Sequence, residues 1–203
     1  MHEIILASAS PRRKQLLEQI GLKFRCIPAG IDEECLESLS PPAMVSKLAC
    51  NKAQVVAQQL KQGIVIAADT VVVLDDFIMG KPVNREDAEQ KLSLLSARAH
   101  QVMTGLCIFN CKDQSHLSEV EITKVFFRSL SHREINAYLD SAEWVDKAGG
   151  YGIQGLGALL IEKIEGCYFN VVGLPLNRLN QMLGKQGVYL LGRTTPYGLQ
   201  SWD

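Results

Sequence analysis

The sequence predicts an α/β or α+β fold, and three observations carry that prediction. Apolar runs of strand character alternate with segments of helical period, starting with IILASASPRRKQLLEQIG at residues 4–21. No internal repeat or low-complexity linker interrupts this alternation. The 203 residues are 47% hydrophobic with a formal net charge of −1, the balance of a globular chain long enough to bury a proper core.

Element by element, Ile4-Ile5-Leu6-Ala7 reads as a short buried strand and Ser8-Ala9-Ser10 as the turn after it. Ser10 suits an N-cap and Pro11 the first helical position, where a missing N–H costs nothing. Leu16, Leu17 and Ile20 then share one face, and Gly21 ends the helix. LKFRCIPAGIDEE reads as a strand running into an acidic turn with Asp32 and Glu33. Residues 43–60 form an amphipathic helix with Val45, Leu48, Ala49, Val55, Val56 and Leu60 on one broad face. IVIAADTVVVL is β-rich but interrupted by Asp69-Thr70, and MGKP is a turn. Asn84 caps a helix to about Ser96, with Ala88, Leu92 and Leu95 inward. HQVMTGLCIFN and SEVEITKVFFRSL read as a strand pair, and Ser131 with Glu134 is a capping-box pattern opening a helix to about Leu139. DKAGGYGIQGLG is a glycine-rich loop, ALLIEKIEG a strand, and Leu174 to Leu183 the last helix. Residues 1–190 are expected to form the folded unit and 191–203 a loose tail.

Composition excludes several classes of function. Without a basic excess, a polyanion must be met by a local cluster, and no nucleic-acid partner is expected. Met1-His2-Glu3 leads into an apolar run too short for a signal peptide, and no run is long enough to span a bilayer. The six cysteines include no CxxC pair, and most sit in apolar settings (LACNKA, GLCIF, EGCYF). A reduced, cytoplasmic protein without structural zinc is expected. No Walker A, HExxH or GxSxG motif is present. Gly150-Tyr151-Gly152-Ile153-Gln154-Gly155 fits GxGxxG, but a strand follows it and no acid lies near residue 170, so a dinucleotide is rejected.

Polar residues that break the hydrophobic pattern are the functional candidates. Arg12 and Arg13 stand on the first turn of a helix, where the backbone is already electropositive. Either both point into solvent or they and the helix N-terminus hold an anion, most naturally a phosphate. Asp69 in an apolar run needs a strand-end exposure, a cationic partner or a metal, unless it caps a turn between two strands. Lys52 (CNKAQ) and Lys81 (GKP) add cations, and Asp32 with Glu33 a second acidic group. Carboxylates combined with several cations suit a triphosphate with Mg²⁺, and a remaining carboxylate can activate water. Gln154 either hydrogen-bonds a base edge or stabilises its own turn.

Taken together, LASASPRR (6–13), the lysine of NKA (51–53), AADTVV (67–72), GKP (80–82), DKAGGYGIQG (146–155) and NVVGLPL (170–176) resemble the Maf family of nucleoside triphosphate pyrophosphatases, in order and over nearly the whole chain. The resemblance implies an α/β fold related to the inosine-triphosphate pyrophosphatases: a long mixed β-sheet with flanking helices forming two lobes around a cleft, often as a homodimer. It also implies hydrolysis of a nucleoside triphosphate to monophosphate and pyrophosphate with a divalent cation, Mg²⁺ or Mn²⁺. On that resemblance Asp69 is the catalytic base, Ser8, Arg12, Arg13, Lys52 and Lys81 contact phosphates, and Glu33 joins Asp69 as a metal or water ligand. Asp69-Thr70 and Tyr151 to Gly155 resemble the dTTP/UTP subfamily rather than the one acting on 7-methyl-GTP. Arg12, Thr70 and Gln154 are then the positions implied for base choice. Family members are also associated with arrest of septum formation, which makes a non-catalytic nucleotide sensor the alternative.

Overall fold

The structure, a computed structural model, describes residues 3–31 and 39–191. The acidic turn with Asp32 and Glu33 and the tail expectation from residue 192 onward lie outside the described residues. Its strands are β1 (Ile4–Leu6), β2 (Arg25–Cys26), β3 (Ile64–Leu74), β4 (Phe77–Met79), β5 (Ala99–Asn110), β6 (Ser115–Phe127) and β7 (Ile161–Glu165). The helices are α1 (Pro11–Gln19), α2 (Pro41–Ala57), α3 (Arg85–Leu95), α4 (His132–Asp140), α5 (Tyr168–Val172) and α6 (Leu176–Lys185). The strands form one mixed sheet in the order β2-β1-β3-β5-β6-β7, with β4 alongside β3. β1 runs parallel to both β2 and β3, whereas β3, β5, β6 and β7 are successively antiparallel.

Strand alternation sorts β3 between two cores. Ile5, Ala7, Val65 and Ala67 pack with Ala49, Ala53, Val56 and Ala57 of α2, and Val71 and Val73 pack with Val45. On the other face, Ile4, Leu6, Ile64, Ile66 and Ala68 meet α1 and α6 through Leu16, Leu17, Leu179 and Leu183. Farther along that face, Val72 and Leu74 join α3 and α4 through Leu92, Leu95, Ile135 and Leu139.

The expected caps are present at Asn84, whose side chain accepts the Asp87 N–H at 2.8 Å, and at Ser131–Glu134, where both halves of the capping box form. Several expectations are corrected. Asp69-Thr70 do not interrupt the strand: β3 runs through them, because β5 pairs with it from Ile64 to Val73. Ser10 stands at the N-cap of α1 but its side chain makes no capping bond; its N–H instead donates to Ser8 Oγ at 3.1 Å. Ile20 is 37% exposed rather than inward. The strand before β4 turns back through Asp75 and Asp76 at φ 47° and 69°, a hairpin without the usual Asn-Gly or Asp-Gly cue. The expected strand ALLIEKIEG begins only at Ile161, because Gly155–Leu160 winds as a 3₁₀ segment. The last helix starts at Leu176 after the short α5, where Gly173 at φ 117° separates the two.

One buried titratable group ties the sheet to the glycine-rich loop. His100, 2% exposed, shares a 2.6 Å hydrogen bond between its Nε2 and the Tyr151 hydroxyl. Burial drives its pKa down to about 4. An unfolded histidine titrates near pH ~6.5, so protons bind the unfolded chain first as pH falls. Stability is therefore fully present above that value and is lost between about pH 6.5 and 4, by roughly 3 kcal/mol. Urea unfolding across this window checks the slope, which flattens in His100→Gln.

Candidate active site

The gap in the strand pairing of β3 creates the cleft. On one edge, Ile4–Leu6 of β1 pairs with Ile64–Ile66 and β4 pairs with Val72–Leu74. Between them, among the described residues, residues 67–71 have a ladder partner only on the β5 side. The chain leaving β1, the N-terminus of α1 and the Gly80-Lys81 turn all line this opening. The resulting cleft has a volume of about 1010 Å³ and takes in Ser8, Arg12, Arg13, Lys52, Asp69, Thr70, Lys81 and Gln154. Every predicted site residue except Glu33, which lies outside the described residues, is thus brought to one place.

Asp69 and Thr70 are adjacent, so the pleat sends them to opposite sheet faces. Asp69 faces α2, where Lys52 Nζ donates to its Oδ1 at 2.6 Å; the two side chains are 12% and 14% exposed. That answers the sequence puzzle of a carboxylate in an apolar run with a cationic partner. The contact requires α2 to lie very close to the sheet. Gly105, the register partner of Asp69 on β5, permits this, since a Cβ there would stand 2.2 Å from the Val45 carbonyl oxygen.

On the other face, Arg13 donates, among the described residues, to Gly173 O at 2.8 Å, Thr70 Oγ1 at 3.1 Å and Ser8 Oγ at 3.3 Å. Thr104 Oγ1 donates to Asn170 O at 3.2 Å, so the 2.9 Å Thr70–Thr104 contact uses the Thr70 proton. A threonine hydroxyl has one proton and two lone pairs. With its proton committed and one lone pair taken by Arg13, Thr70 can offer a ligand only an acceptor. The network is anchored by buried Asn170, whose Nδ2 donates to Val102 O at 3.0 Å and Thr123 Oγ1 at 2.9 Å.

The sequence reading passed over Glu143, Asp146 and Lys147, which also line the cleft. Lys147 stood in view within DKAGG but only as a neighbour of the glycines; Glu143 carried no local signal. With them, among the described residues, the cleft holds five cationic side chains against three carboxylates. Burial, with Arg12 nearby, lowers the pKa of Lys147. Among the described residues, no three His, Cys, Asp or Glu side chains are grouped to hold a metal ion, and no helix is long and apolar enough to cross a membrane. The five described cysteines are free thiols; Cys107 and Cys111 are core residues, whereas Cys26 is exposed.

The chain is similar to several known proteins. Residues 3–186 match the family model described as Maf-like protein. A dTTP/UTP pyrophosphatase from Syntrophomonas wolfei subsp. wolfei is 46% identical over 186 residues, covering 92% of this chain and 98% of that protein. One from Acetivibrio thermocellus is 49% identical over 198 residues, covering 94% and 98%, and one from Clostridioides difficile 48% identical over 182 residues, covering 90% and 94%. Among solved structures, a HAM1 protein from Coxiella burnetii overlaps 63% of this chain and 73% of its own, with TM-score 0.44 and 17% identity.

Proposed function

This chain belongs to the Maf-like protein family, and on that premise we propose that its cleft hydrolyses dTTP and UTP to the nucleoside monophosphate and pyrophosphate. The observation that carries the reading is the meeting of Asp69 with Lys52 at 2.6 Å beside an array of cations in an open cleft. Lys52 occupies Oδ1 of Asp69 and orients the carboxylate, leaving Oδ2 to take a proton from water. The oxygen of that water bonds to the α-phosphorus as the bond to the bridging oxygen breaks, and pyrophosphate leaves. Arg12, Lys81 and the uncapped N-terminus of α1 neutralise the phosphate oxygens. Ser8 and Arg13 border the same phosphates.

The donor set fits a divalent cation only in a particular way. Among the described residues Asp69 stands without the companions needed for an all-protein ion cage. Mg²⁺ is typically held by one or two carboxylates together with substrate phosphates, which suits Asp69 with the triphosphate, and Glu33 as the proposed second carboxylate. When bound, such a cation polarises phosphoryl oxygens.

Base choice follows from the acceptor-only state of Thr70. Uracil and thymine present N3–H, a donor that Thr70 satisfies, whereas cytosine presents a bare N3 that repels it. The exposed amide of Gln154 donates to a ring carbonyl, and Arg12 lines the same cleft. Leaving a polar group of such a site unpaired is the strong form of rejection. A regulator that only senses nucleotides needs no oriented carboxylate, so that alternative is not favoured.

Pyrophosphate release from a panel of nucleoside and deoxynucleoside triphosphates, with Mg²⁺ or Mn²⁺, tests the reading. Turnover of dTTP and UTP well above dCTP and the purines is expected, and EDTA should abolish it. Preferential turnover of 7-methyl-GTP would overturn the base assignment.

A further inference from the structure

The turn that carries Gln154 is capped from outside itself. The 3₁₀ segment Gly155–Leu160 has Gln154 as its N-cap, yet Gln154 makes no side-chain capping bond. The first N–H groups of a helical segment lack internal partners, and an N-cap side chain ordinarily satisfies one of them. Here the Glu143 carboxylate does so. It accepts the Leu156 N–H at 3.1 and 3.0 Å through its two oxygens, and the Gly157 N–H at 3.4 Å.

The fit between carboxylate and turn is close. Gly155 holds φ +67°, and a Cβ there would stand 2.7 Å from Glu143 Oε1. Gly157 in turn lies against the Gly152 carbonyl, where a Cβ would come within 2.0 Å. The backbone carbonyl of Glu143 also accepts a hydrogen bond from Lys147 Nζ. Glu143 thus fixes the turn through its side chain and a cleft lysine through its main chain, while the Gln154 amide, at the cleft wall, has no hydrogen-bond partner among the described residues.

We propose that Glu143 is the positioning residue for nucleobase selection, holding the turn so that Gln154 presents its amide to the base. This rests on the reading of the cleft as a dTTP/UTP site. Asp69 and Lys52 are carried by β3 and α2 rather than by this loop. Loss of the Glu143 cap therefore loosens recognition and leaves the chemical step in place.

The test is steady-state kinetics on dTTP and dCTP for wild type, Glu143→Ala, Glu143→Asp, Glu143→Gln and Gln154→Ala. In Glu143→Ala the preference for dTTP, as a ratio of kcat/KM values, should fall by about tenfold or more. The loss should appear in the KM for dTTP, with kcat within about threefold of wild type. Glu143→Asp, one methylene short of the N–H groups, should behave like Ala. Glu143→Gln keeps an acceptor oxygen at the right reach and should retain most of the preference. Adding Glu143→Ala to Gln154→Ala should cost no further selectivity. Amide hydrogen exchange at Leu156 and Gly157 should speed up in Glu143→Asp, a readout independent of turnover.

An unchanged dTTP/dCTP ratio in Glu143→Ala and Glu143→Asp would overturn the proposal, as would an equal loss of kcat on both nucleotides. So would a Gln154→Ala variant that keeps its selectivity while Glu143→Ala loses it. A wild-type protein with no preference for dTTP would instead overturn the underlying function, and would be seen before any variant was compared.

Discussion

Replacing Asp69 by Asn is expected to lower turnover of dTTP by about 10²–10⁴-fold, the range that a positioned general base supplies. The shape of the site is kept, because the amide oxygen still accepts from Lys52. What is lost is a group able to take up the proton of the attacking water. Exchanging a charged acceptor for a neutral one should cost roughly 1 kcal/mol of stability, since both side chains face an open cleft rather than a sealed core. Pyrophosphate release and thermal unfolding on the same preparation separate the two effects. Near-normal turnover in a folded Asp69→Asn protein would remove Asp69 from the role of base.

Gly105→Ala should produce the largest effect on the fold. The new methyl would meet Val45 O at 2.2 Å, Val45 C at 2.3 Å and Ser46 N at 2.6 Å, all backbone atoms that no rotamer change can move. α2 must therefore lift from the sheet, at a cost of about 3 kcal/mol by analogy with overpacked cores. Because α2 also carries Lys52, the Lys52–Asp69 contact should lengthen and activity fall with stability. Gly30→Ala is the control, since a Cβ there meets nothing within 4 Å among the described residues; its unfolding free energy should stay within about 0.5 kcal/mol of wild type. If Gly105→Ala were equally neutral, close approach of α2 would not be what places Lys52.

Much of this was legible along the chain because the responsible forces act over a few residues. The Asn84 cap and the Ser131–Glu134 capping box are local hydrogen bonds, and both occur where the sequence indicates. The apolar face of α2 follows largely from helical period, and Val45, Leu48, Ala49 and Val56 are buried as that period requires, whereas Val55 is half-buried and Leu60 lies beyond the helix end at Ala57. Asp69 stood out for an equally local reason, since an apolar run is an unfavourable place for a carboxylate. The β4 hairpin was not legible, because Asp75 and Asp76 adopt positive φ without a turn glycine. Nor was the strand's passage through Asp69-Thr70, which is imposed by β5 rather than by local preference.

The sequence by itself therefore determined the alternation of elements, most of their caps, and the identity of the polar residues that do not belong in a core. Tertiary structure alone decided how those residues meet. It placed Asp69 and Thr70 on opposite faces of one strand at a gap in its pairing, turned the Thr70 hydroxyl into an acceptor through Thr104, and gave the cap of the Gln154 turn to Glu143. The strand pairing around Asp69-Thr70, the Thr70–Thr104 bond and the Glu143 cap are each contacts between residues separated in the chain. Their strength depends on the distance and direction set by packed sheets and helices, which neighbouring residues do not encode.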